Sequence, residues 1–234
     1  EIVNNQLYSC LNTSCNVVYK IVGYISTTQM IVQPISYSSN SLLSAQTNTT
    51  DSPIKTTLDN WYKTNIKNYN DKLADETFCN DRSVEYGSGY KIDDDTFYNA
   101  YKRNAKSLTP SLKCSQISDQ FKISNERAKL DYPIALITAD EVTFAGGRSY
   151  NDSYFPNNGY YLFNNGNYWT MSPSVYGKNY STNHLYNVVI HSSLHPWNKE
   201  AGSVYGIRPV INLRSNAKIT KGDGSVLNPF VVET

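Results

Sequence analysis

The chain has 234 residues, a length that suits one domain or two small ones. Its 21 basic and 20 acidic side chains nearly balance, so the charge does not indicate a nucleic-acid or membrane-surface binder. No window approaches 18 apolar residues, which predicts that the chain has no transmembrane helix. Charged residues make up only 18%, and the polarity comes mainly from 27 Asn and 26 Ser, beside 20 Tyr. This composition is typical of antibody contact surfaces and also of extracellular proteins.

Four cysteines are present, without a CxxC pair or the spacing of a zinc site: Cys10, Cys15, Cys79 and Cys114. Cys10 and Cys15 are close enough to close a small loop, which leaves Cys79 with Cys114, although four cysteines allow three connectivities. Two disulfides would indicate an oxidising compartment, whereas free buried thiols would suit a cytosolic protein. The chain begins at Glu1 rather than Met, as expected for a mature or trimmed piece.

The first elements are a predicted hairpin and a predicted helix. Residues 17–35 place two apolar stretches around a polar Ser-Thr-Thr-Gln turn, and the polar segment 36–50 predicts a loop. A helix should follow, with Asp51 or Ser52 as its cap and Pro53 at its first position. Its pattern weakens after about residue 66. The predicted buried face consists of Ile54, Leu58, Trp61 and Tyr62, and a weak set of charges at spacing four consists of Lys55, Asp59 and Lys63.

The middle of the chain predicts two more helices and a strand. Three consecutive aspartates, Asp93 to Asp95, lack the spacing of a calcium loop, so Asp95 is predicted to cap a short helix beginning near Thr96. Residues 134–137 predict a short buried strand. Thr138 and Glu141 then have the T-x-x-E spacing of a capping box, and the helix should end at Gly146-Gly147. Helices and strands alternate without a regular βαβ repeat, which favours an α+β fold.

The chain changes character after residue 148. Residues 149–206 contain 13 aromatic residues, 10 Asn and only four charged residues, without a helical period. This pattern predicts short strands and long loops. The stretch VYGIRPVINL (204–213) has the pattern of a strand, although Arg208 and Pro209 interrupt it. The last two strands are predicted to pair as a hairpin around residues 222–224.

Several blocks of the sequence resemble a bacterial surface-protein family of unknown function. They are GYYLFNNGNYWTMSPSVYG, VYGIRPVINL and GDGSVLNPFVV, preceded by TDSPIKTTLDNWYKTNI, ADETFCNDRS and PIALITADEVTFAGG. That family is grouped with the formylglycine-generating (sulfatase-modifying) enzyme fold, a variant of the C-type lectin fold. The resemblance implies an α+β, C-type-lectin-like domain over residues 17–234, with mixed small sheets, two or three short helices and long loops. Residues 1–16 would form a disulfide-linked lead-in segment.

The resemblance also implies structural roles for three residues. In the related fold, the Gly-x-Arg-Pro strand begins where the loop region returns to the sheet. Pro209 would then start a strand or lie at an edge, where its missing N–H costs little. Arg208 would tie the loops to the scaffold through charge-assisted hydrogen bonds, with Asp140 or Glu141 as its partner. Trp169 would fill the interior beneath the loops.

Neither the enzyme nor the calcium-lectin function fits the residues. Formylglycine-generating enzymes use two late cysteines to bind copper, and this chain has no cysteine after Cys114. Sugar-binding C-type lectins use Glu-Pro-Asn or Gln-Pro-Asp with Trp-Asn-Asp, whereas the corresponding run here, 197–199, is Trp-Asn-Lys. His191 and His195 have i, i+4 spacing but are followed by a proline and lack a supporting carboxylate. No catalytic residue, metal or cofactor is therefore predicted.

The predicted function is non-enzymatic extracellular recognition of an unidentified protein or glycan through the loop-rich region 149–206. The predicted ligand-contacting residues are Tyr154, Asn183, Tyr186, Asn187, His191, His195 and Trp197. The alternatives are a surface or pilus-associated structural module with no specific small ligand, a calcium-independent lectin, and residual sulfatase-modifying activity. We expect a monomeric domain of a larger surface protein, located at the cell surface or outside the cell, that neither binds nucleic acid nor inserts into a membrane.

Overall fold

A computed structural model describes residues 2–3, 6–9, 18–22, 51–88, 95–145, 168–178, 184–191, 197–200, 205–223, 228 and 230–233. Residues 2–3, 6–9, 18–22, 177–178, 184–191 and 197–200 are described by their backbone alone. Mixed small sheets and a few short helices make up these ranges, which is an α+β arrangement.

The strands within these ranges are short, apart from two in the aromatic-rich region. They are β1 (Ile2–Val3), β2 (Gln6–Ser9), β3 (Val18–Val22), β4 (Phe78–Cys79), β5 (Val84–Tyr86), β6 (Thr96–Tyr98), β7 (Gln120–Phe121), β8 (Ile134–Leu136), β9 (Tyr168–Lys178), β10 (His184–His191), β11 (Trp197–Glu200), β12 (Pro209–Asn212), β13 (Ile219–Lys221) and β14 (Val231–Val232). The α-helices are α1 (Pro53–Asn65), α2 (Asn99–Lys102) and α3 (Ala139–Phe144), with 3-10 helices at Lys67–Lys72 and Ile117–Asp119 and a π-helix at Arg103–Ser107.

Helix α1 forms where the sequence predicts it. The Ser52 hydroxyl accepts a hydrogen bond from the Lys55 backbone N–H at 3.1 Å, and Pro53 occupies the first turn, so the predicted cap is confirmed. The helix ends at Asn65, next to the predicted limit. Its buried stripe consists of Ile54, Leu58 and Tyr62, with Trp61 partly buried against the same core.

Helix α3 also confirms its predicted start. The Thr138 hydroxyl accepts from the Glu141 backbone N–H at 3.1 Å, and the Glu141 carboxylate accepts from the Thr138 backbone N–H at 2.9 Å. This reciprocal pair is a capping box. The helix ends at Phe144, and the glycines predicted to end it lie outside the described residues.

The first sheet is antiparallel, in the order β1-β2-β3-β12-β8. Ile134 and Leu136 of β8 pack in one core together with α1, whereas Ala135 and the following Ile137 pack in a second core together with α3. Because alternate residues of a strand point to opposite faces, a strand that is covered on both sides is apolar at every position. This explains the uninterrupted apolar run and confirms the predicted buried strand.

The Arg-Pro interruption lies where strand β12 begins. Pro209 is the first residue of β12 and pairs with Leu136, whereas β3 pairs with β12 only from Val210 onward. The proline therefore lies at the end of the ladder, where its missing N–H costs little. Both Arg208 and Pro209 are buried.

The second sheet is also antiparallel, in the order β11-β10-β9-β6-β5. Its central strand β9 meets the first sheet through a 3.0 Å hydrogen bond from the Met171 N–H to the Ile137 carbonyl. Trp169 of β9 is fully buried, and the ring of Tyr205 meets it edge-on at a centroid distance of 5.1 Å. The two sheets thus share their interior along β9.

One predicted helix start is wrong. Asp95 does not cap a helix, because Thr96–Tyr98 is strand β6 and α2 begins only at Asn99. Thr96 and Tyr98 are buried, and β6 pairs with both β5 and β9. Tertiary strand pairing therefore overrides the local capping signal of the aspartates.

The two smaller sheets test predictions about the chain end and the cysteines. Strands β13 and β14 pair antiparallel on either side of Gly222, which has φ 93°. The partner of the last strand is therefore Ile219–Lys221 and not the predicted strand at 204–213, which pairs with β3 and β8 as β12. Strands β4 and β7 pair beside a disulfide between Cys79 and Cys114, whose Cα atoms are 5.7 Å apart. Cys10, Cys15, the loop 36–50 and the second strand predicted within 17–35 lie outside the described residues.

None of the helices in the described ranges combines the length and the apolar character needed to cross a membrane.

Candidate functional site

Four of the seven predicted ligand-contacting residues lie on one pair of neighbouring strands. Tyr186, Asn187 and His191 are in β10, and Trp197 begins β11, where it pairs with Ile190. Strand β11 is the outer strand of the second sheet. The backbone therefore gathers these four positions at one edge of that sheet. The other three predicted residues, Tyr154, Asn183 and His195, lie outside the described residues.

A cross-strand row leads from this edge to the opposite edge of the sheet. Asn187 pairs with Glu200 on one side and with Val175 on the other. Val175 pairs with Phe97, which pairs with Tyr86. Because directly paired residues of antiparallel strands share a face, Val175, Phe97 and Tyr86 place their side chains on one face of the sheet. We call these three residues the open row.

The open row becomes more exposed toward the edge strand. Val175 and Phe97 are half-buried, and Tyr86 is 66% exposed. In the adjacent row, Tyr176 pairs with Thr96, and these side chains are only 8% and 0% exposed. The buried row faces the interior, so the open row belongs to the opposite, solvent-facing side of the sheet.

Charged side chains border the open row. The Lys106 ammonium lies 5.7 Å from the centroid of the Phe97 ring and 3.8 Å from the Glu85 carboxylate. The Lys102 ammonium lies 3.1 Å from the same carboxylate. The side chains of Lys102 and Lys106 are 44% and 57% exposed. Two ammonium groups therefore contact one carboxylate, and Lys106 is the cation that lies over the Phe97 ring, while the exposed Asp95 precedes Phe97 by two residues.

The backbone constrains the position of Tyr86. The next residue, Gly87, has φ 98°, and a Cβ atom added there would clash with the backbone carbonyl of Asp95. Only glycine allows this conformation and this close approach. The Tyr86 ring is therefore presented by a tightly packed backbone, with its centroid 6.2 Å from that of Phe97 and the two rings tilted by 53°.

A cluster of three carboxylates near helix α1 surrounds the ammonium group of a lysine. Carboxylate oxygens of Asp51, Asp59 and Asp131 lie within 4.8 Å of one another. The Lys55 ammonium lies among them, at 2.6 Å from Asp59, 3.2 Å from Asp131 and 3.5 Å from Asp51. Burial lowers the pKa of Lys55, but its hydrogen bond to Asp59 and the surrounding carboxylates outweigh burial, so the pKa is raised. The protonated lysine thus occupies the place that a metal ion would take.

The charged residues near α3 include an ion pair that the sequence did not predict. Both carboxylate oxygens of Asp140 accept hydrogen bonds from Arg103 at 2.7 Å. Arg103 also donates to Asp81 at 2.7 Å. The guanidinium of Arg208, 3% exposed, lies 4.8 Å from the centroid of the Tyr168 ring. Glu141 forms the capping box of α3, and the pairing of Arg208 with Asp140 or Glu141 stays a prediction.

Sequence reasoning missed the residues of the open row. Tyr86 and Phe97 carry no signal that separates them from the many other tyrosines and phenylalanines of the chain. A weak local signal is the Tyr-Gly step at 86–87, which indicates a turn directly after an aromatic residue. Comparisons of the chain with protein-family models, with curated proteins and with solved structures found no match. The ligand preference of the open row therefore follows from its own residues.

Proposed function

We propose that the chain is a non-enzymatic extracellular recognition domain that binds a protein or glycan through its second sheet and the loop-rich region 149–206. The observation that supports this proposal is the open row, in which an exposed tyrosine and a half-buried phenylalanine continue the register of Asn187. Exposed apolar surface next to polar groups marks interaction sites. Tyrosine is well suited to such surfaces because it offers a large contact area at low entropic cost.

The proposal includes a C-type-lectin-like fold related to that of formylglycine-generating enzymes. Its support is the Trp-x-x-Ser-Pro sequence at 169–173 followed by Gly-x-Arg-Pro at 206–209, together with mixed sheets and short helices. A formylglycine-generating activity is not proposed, because no cysteine follows Cys114.

The Cys79–Cys114 disulfide supports an extracellular location, since disulfides persist in oxidising compartments. The domain is proposed to act as a monomeric part of a larger surface protein. Tests of binding should therefore use protein that was purified with this disulfide intact.

Substitution of Trp197 tests the proposed function. The wild-type protein should bind a component of a glycan array or of a host-protein pull-down, and binding should persist in EDTA because no calcium site is predicted. Trp197→Ala should weaken binding by about 2 kcal/mol or more, as expected for an aromatic anchor, and should keep the melting temperature of the wild type. The measurement is a titration with the purified ligand.

The control for this test is Tyr69→Ala, which removes a tyrosine that is 47% exposed on the 3-10 helix after α1. It should leave the affinity unchanged. A folded Trp197→Ala variant with wild-type affinity would contradict the role of Trp197. Failure of the wild-type protein to bind in either assay would contradict the proposed function itself.

A further inference from the structure

We infer that the open row binds an acidic saccharide, whose ring stacks on Tyr86 and Phe97 while its carboxylate or sulfate group pairs with Lys102 and Lys106. This inference rests on the proposed function, because it names the ligand class for a defined part of the same sheet. It concerns the β5 edge of the sheet, whereas the predicted residues of β10 and β11 lie at the opposite edge.

The aromatic rings provide the first part of the argument. Tyr86 is 66% exposed and stands beside Phe97 on the solvent-facing side of the sheet. The face of an aromatic ring carries partial negative charge, and it attracts the polarised C–H groups on the apolar side of a sugar ring. Gly87 packs the backbone next to Tyr86 closely against Asp95 and Thr96, so little backbone entropy is lost when a ligand binds there.

The charges provide the second part of the argument and select acidic over neutral saccharides. Lys102 and Lys106 both contact Glu85. Lys106 already lies over Phe97, so an anion attached to a sugar stacked on these rings would lie beside an ammonium group. Both lysines are about half exposed and can turn toward such a ligand without leaving the surface.

Other partners fit this surface less well. Addition of a strand from another protein is disfavoured, because β5 has only three residues, an irregular register with β6 and a charged residue at its centre. A stable protein interface engages about 20–30 residues on each side. The open row offers three side chains, with Lys106 and Glu85 beside them, a size that suits a small ligand.

Binding of defined oligosaccharides tests the inference. The probes are a hyaluronan oligosaccharide, which is carboxylated, a chondroitin sulfate oligosaccharide, which is also sulfated, and a malto-oligosaccharide of the same length as the neutral control. Poly-glutamate serves as the peptide polyanion. Affinity is measured by calorimetry with EDTA present. An acidic saccharide should bind at least about tenfold more tightly than both the neutral saccharide and poly-glutamate.

Variants of the open row then separate ring stacking from charge. Tyr86→Ala should raise the Kd for the acidic saccharide at least about tenfold, whereas Tyr86→Phe, which keeps the ring, should stay within about threefold. Lys106→Gln should raise the Kd about threefold to tenfold and reduce its dependence on salt. Tyr69→Ala, the matched exposed tyrosine on another element, should bind as the wild type does.

Several results would overturn the inference. In one, the protein binds neither acidic saccharide; in another, it binds poly-glutamate as tightly as the acidic saccharides; in a third, a folded Tyr86→Ala variant binds the acidic saccharide as tightly as the wild type does. A protein or neutral glycan whose binding requires Trp197 but not Tyr86 would overturn it while leaving the proposed function intact. Binding of an acidic saccharide that requires Tyr86 but not Trp197 would support it and remove the proposed role of Trp197.

Discussion

At the scale of single residues, replacement of the buried Arg208 should have a large effect on the free energy of unfolding. Its guanidinium is 3% exposed and lies over the ring of Tyr168, in the position of a cation–π contact. A buried charge has lost its hydration, so the folded structure around it must compensate for that loss. If the Arg208 side chain were shortened, the ring of Tyr168 would remain buried without the cation that it contacts.

We therefore expect Arg208→Ala to lower the free energy of unfolding by about 2–4 kcal/mol, as when one partner of a buried ionic interaction is removed. Arg208→Lys should be intermediate, because it keeps the charge but loses the planar group that stacks on Tyr168. Urea unfolding measures both effects. Lys67→Ala, at an exposed position on the 3-10 helix after α1, is the control and should change stability by less than about 0.5 kcal/mol. An unchanged urea midpoint for Arg208→Ala would contradict this role.

At the scale of elements, Arg103 joins parts of the chain that are far apart in sequence. It binds Asp81 ahead of strand β5 and Asp140 in helix α3, and Asp140 also accepts from the Ser111 backbone N–H at 2.9 Å. Burial alone would raise the pKa of Asp81, but the hydrogen bonds from Arg103 and Ser83 outweigh it, so the pKa is lowered. Hydrogen bonding to Asp140 raises the pKa of Arg103, which keeps it charged.

The pH dependence of stability should report this arrangement. Because the pKa of Asp81 in the folded state lies below its ordinary value of 3.8, its ionised form stabilises the fold above that pH. This contribution is lost as the pH falls through the folded-state pKa. Asp81→Asn should be about 1–3 kcal/mol less stable than the wild type at pH 7, with the difference shrinking toward pH 2. Urea unfolding across this range measures it, and parallel curves for the two proteins would contradict the assignment.

Elements whose signals are local were predictable from the sequence, and those fixed by distant partners were not. The starts of α1 and α3 were predicted because Ser52 and Thr138 bond to backbone groups three residues away. Strand β6 was mistaken for a helix start because its pairing with β9 comes from a distant part of the chain. The open row was missed for the same reason, since its three residues belong to three strands whose register includes an irregularity at β5.

At the scale of the whole molecule, the buried cores and the open row are made of different residues. The two cores are built from α1, β8, β12, α3 and the first part of β9. The open row lies at the other end of β9 and on β5 and β6, and the described side chains along it are exposed or half-buried. Substitution of Tyr86 should therefore change binding without unfolding the protein, so the two properties can be measured separately.

The Cys79–Cys114 disulfide closes a loop that contains β5 and β6 of the open row, together with α2. The bonded cysteines are 35 residues apart, and closing a loop of this length should stabilise the fold by roughly 3–4 kcal/mol through the entropy of the unfolded chain. We expect the double variant Cys79→Ser, Cys114→Ser to lose about this much free energy of unfolding in urea. Wild-type protein treated with a reductant is the matched comparison and should lose at least as much.

Intact-mass analysis tests how many disulfides the protein contains. The oxidised protein should have four fewer hydrogens than the reduced protein if Cys10 and Cys15 are also joined. Four alkylatable thiols in protein purified from an oxidising compartment would contradict both disulfides.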